Sequence, residues 1–451
     1  MGLFNKVLIA NRGEIARRII RTCKGLGIQT VAVYSDADKN SIYVKEAAEA
    51  VHIGENQAKK SYLNIEKIMA AAKVTNADAI HPGYGFLSEN PELVKRCEAE
   101  GITFIGPKAE VMELMSSKLE SRMQMYQAGI PVVPGSEKRP ETVEQAIAVA
   151  EDLGYPLMLK ASAGGGGIGM KLIKSAEELT KNFSSVKQQA QQFFSDDTVF
   201  LEKWISNPRH IEVQVAGDTH GNMVHLFERE CSVQRRHQKV IEETPSPFLN
   251  ETQRKELVKA ALIGAKHLGY TNVGTMEFIF DGEANFYFLE MNTRLQVEHA
   301  VTEEVTGIDL VEWQLRIAAN EYLPRKQHEV TKQGHAIECR IYAEDPVTHF
   351  PSPGTISKLN LTEDEARYEF GVIEKTVVSP FYDPMIGKVI VHAKNREAAL
   401  QQMKGALEKT KIEGIKTNIP LLEKIMNERQ FELGDYTTNY LQELGNIIQT
   451  K

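Results

Sequence analysis

The sequence predicts an α/β protein in three parts. These are an N-terminal parallel sheet with helices on both faces, a central α+β unit carrying a glycine-rich hairpin, and a C-terminal α+β unit. Three observations lead there. Between residues 6 and 105, short apolar runs alternate with helix-period segments, the pattern of βαβ units. The run Ala161-Ser-Ala-Gly-Gly-Gly-Gly-Ile-Gly169 joins one strand-like stretch to another rather than to a helix. Two alternating stretches flank the turn cluster Asp281–Asn285, which reads as a β-hairpin.

The chain's global properties narrow the classes. At 451 residues it exceeds one small core, and the expected divisions are 1–113, 114–330 with a lid subdomain over about 131–204, and 331–447. Hydrophobic residues make up 42% and charged residues 25%, as in an ordinary globular protein. A net charge of -8 gives no electrostatic footprint for nucleic acid or an anionic membrane. No apolar run approaches the ~20 residues of a membrane span, and the N-terminus lacks a signal-peptide pattern. Cys23, Cys97, Cys231 and Cys339 are far apart without metal-ligand spacing, so a reduced, cytoplasmic protein is expected.

Lys6–Ala10 reads as a buried strand, Asn11-Arg-Gly-Glu14 opens a helix ending near Gly25, and Ile28–Tyr34 is the next strand. Further strands are expected at Ala79-Ile80 and Thr103–Ile105. The loop His81–Asn90, rich in Gly, aromatic and polar residues, falls at a strand's carboxyl end, where ligands bind in such sheets. Val111–Gly129, carrying Lys118, is expected as one helix, and Ile130–Pro134 as an extended connector.

In the central part, Tyr155–Lys160 and Met170–Ile173 are the strands around the glycine loop. A Walker A loop or a dinucleotide fingerprint would enter a helix, so neither fits. Glycines bring backbone amides close to phosphate oxygens, and a hairpin tip can close as a lid. Thr198–Ile205 places Glu202 and Lys203 where a base or ribose could be met. Arg209–Val215 alternates, with His210, Glu212 and Gln214 on one side. Cys231–Lys239 gathers Arg235, Arg236, His237 and Lys239 in an otherwise acidic protein, a setting for an anion. In the last part, strands are expected at Gly334–Tyr342, with Arg340 projecting, and Lys388–His392; helices are expected at 396–407 and 418–426. This part is expected to pack beside a cleft and complete it.

The stretch Glu290-Met-Asn-Thr-Arg-Leu-Gln-Val-Glu298 carries the most chemistry. If it stays extended, Glu290, Asn292, Arg294, Gln296 and Glu298 share one face. Folding the hairpin across Asp281–Asn285 sets Glu277 about opposite Glu290, a like-charge pair that a cation between them would stabilise unless a register slip separates them. A solvated strand face is the alternative. Mg²⁺ takes few protein ligands and the rest from water and phosphate, so a nucleotide is expected nearby.

Four stretches together resemble the biotin carboxylase family of the ATP-grasp superfamily, over essentially the whole chain. They are Ile9-Ala-Asn-Arg-Gly-Glu14, His81–Asn90, Gln234-Arg-Arg-His-Gln-Lys239 and Glu290–His299. The resemblance implies a Rossmann-like N-terminal domain, an ATP-grasp domain, and carboxylation of biotin through carboxyphosphate made from ATP and bicarbonate. It implies that Lys118, Lys160, Gly166, Gly167, Glu202, Lys203, Ile205, His210, Gln234 and His237 hold ATP. Glu277, Glu290 and Asn292 would hold two Mg²⁺ or Mn²⁺ ions. Lys239, Arg294, Gln296, Val297 and Arg340 would hold bicarbonate or carboxyphosphate, with Glu298 as base, Arg294 stabilising the biotin enolate and Tyr84 lining the biotin pocket.

The chain departs from the family pattern at Ile168, where many members carry Arg or Lys, and over Leu361–Val378, which is shorter than usual. No Met-Lys-Met acceptor is found, so biotin is expected on a separate biotin carboxyl carrier protein, with carboxyltransferase subunits as partners and a homodimer possible. Acetyl-CoA carboxylase, and so fatty acid biosynthesis, is one setting. Another ATP-grasp carboxylate-amine ligase and a non-catalytic nucleotide-binding regulator are the alternatives.

Overall fold

The computed structural model describes residues 3–136, 138–163, 169–194, 196–283, 285–362 and 366–449. Strands β1 (Lys6–Ile9), β2 (Gln29–Ser35), β3 (Glu49–Gly54), β4 (Ala79–His81) and β5 (Thr103–Phe104) form the expected parallel sheet, in the order β3-β2-β1-β4-β5. Val7, Leu8 and Ile9 are all buried, because helices cover both faces of the sheet. At its carboxyl edge the Asn11 amide donates to the carbonyls of Pro82 and Tyr84, both at 2.7 Å, tying the loops after β1 and β4 together.

The single helix expected over 111–129 is instead two, Ala109–Ser116 and Lys118–Gln127. Ser117 is extended (φ -92, ψ 114), and its hydroxyl accepts the Glu120 N–H, the geometry of an N-cap. Lys118 therefore opens a helix.

β6 (Leu157–Ala161), β7 (Met170–Ile173) and β8 (Val199–Lys203) make a separate antiparallel sheet in the order β7-β6-β8. Leu157, Leu159, Ile173 and Leu201 pack with Ala146 and Leu179 of the flanking helices Val143–Leu153 and Ala176–Phe194. The glycine loop thus does join two paired strands; Gly166, Gly167 and Ile168 lie outside the described residues.

β9 (Arg209–Gly217), β10 (Met223–Arg235), β11 (Gln238–Thr244), β12 (Asn272–Phe280), β13 (Phe286–Asn292) and β14 (His335–Tyr342) belong to one eight-stranded sheet. Its order is β13-β12-β9-β10-β11-β14, followed by the strands Met385–Ala393 and Arg367–Phe370. The last part of the chain is therefore not merely packed beside the central part: β11 and β14 are hydrogen-bonded neighbours, so the sheet continues through both. Every residue of β9 is buried. Ile211, Val213 and Val215 pack with Leu257 and Ala261 of the helix Glu251–His267, whereas His210, Glu212 and Gln214 take the opposite, polar face.

Candidate active site

A cleft of about 1440 Å³ lies between the three parts. The hairpin of β12 and β13 forms one wall, and Glu277 is the direct partner of Glu290, brought there by a β-bulge between Glu277 and Phe278 that shifts the register by one residue from the count out of the turn. The Glu290 carboxylate is engaged by Lys118, whose place at a helix N-terminus aims both cation and dipole inward. Glu277 accepts hydrogen bonds from Asn292 Nδ2 (2.8 Å), Gln296 Nε2 (3.0 Å) and Lys239 Nζ (2.8 Å), and lies 3.0 Å from His210 Nε2. Burial opposes its ionisation, but Lys239 and His210 outweigh it and hold Glu277 well below the usual carboxylate range. Paired carboxylates beside an amide form a hard oxygen donor set that fits Mg²⁺ or Mn²⁺.

The chain does not stay extended to Glu298. β13 ends at Asn292, and Glu298 is the N-cap residue of the helix His299–Thr306. The side chains converge through hydrogen bonds rather than through strand alternation. Arg294 donates to Asn292 Oδ1 (2.9 Å) and Gln296 Oε1 (3.3 Å), and its Nε meets Glu89 of the His81–Asn90 loop at 2.8 Å. The cations touching Glu298 are accordingly Lys239 and Arg340 rather than Arg294.

Lys239 is the centre of the anionic floor. Its ammonium lies 2.6 Å from Glu212, 2.8 Å from Glu277 and 2.7 Å from Glu298. It fills the space where His210, Glu212 and Glu277 come close enough to share an ion. Glu212, wholly buried, also binds Arg229 at 2.5 Å. Glu298, also wholly buried, accepts from Arg340 at 3.0 Å, and Arg340 Nε is 2.6 Å from Glu242. Burial works against the Glu298 carboxylate, yet Lys239, Arg340 and Arg229 hold it well below the usual range, so it is ionised at neutral pH.

The residues expected to hold ATP gather as well. Lys118, Lys160, Glu202, Lys203, Ile205, His210, Gln234 and His237 all line the cleft, as do Gln296, Val297, Arg340 and Tyr84. Glu202 is shared by Lys160 and by Arg122 (3.1 Å). Gln234 Nε2 is 2.9 Å from His210 Nδ1. The Lys203 ammonium is tied to the carbonyls of Leu153 and Gly154 (3.1 and 2.8 Å), the end of a helix. Arg236 and His237 form the turn from β10 to β11 at φ 49 and 64, a conformation that side chains rarely adopt and that places them at the cleft. Arg235, expected with the anion-binding cluster, turns instead to Glu344 at 2.5 Å.

Sequence reasoning gave no role to Glu89, Arg122, Glu212, Arg229 or Glu242. Only Glu212 had a usable signal, its place beside His210 in an alternating strand. Glu89 pairs with Arg294 205 residues on, Arg122 pairs from a helix to a strand residue 80 positions away, and Arg229 and Glu242 pair between strands whose order the sequence does not reveal.

A separate hairpin facing a sheet of paired carboxylates and lysines across a cleft defines an ATP-grasp ligase. The profile of the carbamoyl-phosphate synthase L chain ATP-binding domain matches residues 117–326. Those of the biotin carboxylase N-terminal and C-terminal domains match residues 3–112 and 338–443. The chain belongs to the biotin carboxylase family, and its activity is the ATP-dependent carboxylation of biotin. It is 56% identical to the biotin carboxylase of Halalkalibacterium halodurans, over 97% of both chains. It is 55% identical to biotin carboxylase 2 of Bacillus subtilis, over 98% of this chain and all (100%) of that one. Among solved structures it resembles the Campylobacter jejuni biotin carboxylase–βγ-ATP complex (TM-score 0.95, 47% identity, 98% and 99% of the chains). It also resembles the biotin carboxylase domain dimer of Hydrogenobacter thermophilus 2-oxoglutarate carboxylase, bound to MgADP, ADP and bicarbonate (TM-score 0.96, 48% identity, 99% of each chain).

Proposed function

We propose that the chain forms carboxyphosphate from ATP and bicarbonate and passes its CO₂ to biotin presented by a separate carrier protein, with the roles divided as follows. Glu298 takes the proton of bicarbonate while a bicarbonate oxygen attacks the γ-phosphorus and ADP leaves. Lys239, Arg294, Gln296, Arg340 and the Val297 backbone hold the anion. Carboxyphosphate then yields CO₂ and phosphate, the biotin ureido N–H gives its proton to the released phosphate, and the new N–C bond to CO₂ forms while Arg294 stabilises the enolate. Lys118, Lys160, Glu202, Ile205, His210, Gln234 and His237 position ATP. Glu277, Glu290 and Asn292 would hold Mg²⁺ or Mn²⁺, which supplies charge neutralisation on the phosphates.

The observation that carries this reading is the buried Glu298 held between Lys239 and Arg340, both of which line the cleft. An ionised base flanked by cations prepares an anion subsite, and phosphoryl transfer needs little beyond positioning and charge. The division at 113/114 and 330/331 and a cytoplasmic location accompany the reading. Among the described residues no helix is long and apolar enough to cross a membrane. Carboxyltransferase subunits receive the carboxyl group, on acetyl-CoA or another acyl-CoA, and the chain pairs with a second copy.

The test is ADP release with Mg-ATP, with bicarbonate and free biotin added singly and together. Turnover that needs both is the expected result. Turnover indifferent to biotin would assign the chain to a different ATP-grasp ligation.

A further inference from the structure

Two cations stand side by side on the sheet face beneath the helix His299–Thr306. Lys388 and Arg340 are direct partners between β14 and the strand Met385–Ala393. Like charges so placed repel unless each has its own anionic or carbonyl partner. Arg340 has Glu242 and Glu298. Lys388 is wholly buried, and its ammonium donates to the Val297 carbonyl at 2.5 Å, with Glu14 at 3.6 Å and Glu338 at 3.8 Å. Val297 and Glu298 are consecutive, so neighbouring cations grip consecutive residues of one turn, the first by its carbonyl and the second by its carboxylate.

A lysine that merely neutralised buried carboxylates would sit closest to one of them. Here the shortest contact is the backbone carbonyl, while both Glu338 oxygens and Glu14 Oε2 are left without a hydrogen bond. The other Glu14 oxygen accepts the Tyr84 hydroxyl, and Tyr84 lines the cleft. One buried ammonium therefore joins the turn carrying Val297 and Glu298, the Asn11–Glu14 segment and the cleft wall at Tyr84. Each belongs to a different part of the chain from Lys388 itself.

We propose that Lys388 is a positioning residue for bicarbonate activation: it fixes the Val297–Glu298 peptide so that the base faces the anion, and through Glu14 it keeps the Tyr84 wall aligned with the same turn. This rests on Glu298 being the base. Lys388 does not itself line the cleft among the described residues, so its effect passes through the turn. Freed from it, the turn relaxes toward other carbonyl orientations, and a displacement of the base by about 1 Å costs on the order of 10²-fold in rate.

Lys388→Met and Lys388→Arg are compared with the unmodified chain and with Glu298→Gln. Steady-state ADP release is measured across bicarbonate concentration, and the Kd for Mg-ATP is titrated without bicarbonate. For Lys388→Met the expected result is a fall of about 100-fold in kcat/KM for bicarbonate with an unchanged Kd for Mg-ATP; Lys388→Arg recovers part of the loss. Lys388→Met leaves two buried carboxylates without their cation, so Lys388→Met/Glu338→Gln is made in parallel and is expected to show the same split. A folded variant with the original kcat/KM for bicarbonate overturns the proposal, as does a Kd for Mg-ATP that weakens in step with it. If Lys388→Met and the double variant fail to fold, Lys388→Arg decides by the same two readouts. Undiminished turnover in Glu298→Gln would instead remove the base assignment beneath it.

Discussion

Replacing Glu298 by Gln isolates the chemistry from the scaffold. The substitution keeps the volume and removes one charge, and the surrounding cations retain partners. Lys239 still meets Glu212 and Glu277 at 2.6 and 2.8 Å, and Arg340 still meets Glu242 at 2.6 Å. Folding should therefore be nearly unaffected, since no buried cation is orphaned. What is lost is the acceptor proposed for the bicarbonate proton. A positioned general base contributes about 10²- to 10⁴-fold, which corresponds to about 3–5 kcal/mol in the barrier. Glu298 is wholly buried behind Lys239 and Arg340, so the nucleotide does not sense the change directly. The assay pairs bicarbonate-dependent ADP release with direct Mg-ATP titration. Loss of turnover by that factor with unchanged ATP affinity is expected; equal loss of both would show that Glu298 serves the structure, and retained turnover that another group is the base.

Glu290→Gln should raise the Mg²⁺ concentration needed for half-maximal ADP release by about 10- to 100-fold, and chelation by EDTA should stop turnover altogether. An unchanged Mg²⁺ requirement would remove Glu290 from the metal site. Arg396→Ala tests a buried pair away from the cleft. Arg396 meets Glu243 at 2.7 Å, and although burial opposes ionisation, Arg396 and His335 pull that carboxyl from 4.5 down to about 2. A depressed carboxyl contributes its stability in full above its unfolded value, and loses it as pH falls through the folded one. Urea unfolding at neutral pH should show a loss of about 3 kcal/mol, tempered by the remaining Tyr436 and His335 contacts. The gap to the unmodified chain should narrow between pH 4.5 and about 2. A pH-independent gap would refute the linkage.

The carboxylate wall was legible to within one residue because its register is local: counting outward from the turn after Phe280 sets Glu277 beside Leu289, and a β-bulge between Glu277 and Phe278, which the sequence did not reveal, moves it onto Glu290. Glu298 was found for a partly wrong reason. Its extended placement fails at Thr293, and it joins the site because the chain turns into a helix there. The break at Ser117 was missed because Ala109–Gln127 keeps apolar periodicity across it, and only the cap geometry reveals two helices. Lys388 was invisible in sequence. In Met385–Ala393 it reads as an outward residue of an alternating strand, but the helix His299–Thr306 covers that face, and which faces are covered is decided by strand order. Charge partners such as Arg294 with Glu89 are likewise fixed by topology rather than spacing.

The eight-stranded sheet has a consequence for dissecting the molecule. Because β14 is hydrogen-bonded to β11 over Ala336–Cys339, a fragment ending at residue 330 would present the Ile241–Thr244 backbone as an unpaired edge. An exposed edge of this kind templates strand addition from another chain. Such a fragment would self-associate rather than persist as a nucleotide-binding module. The strands that carry Lys239 and Arg340 are hydrogen-bonded into one continuous sheet, whereas β6, β7 and β8 form a sheet of their own.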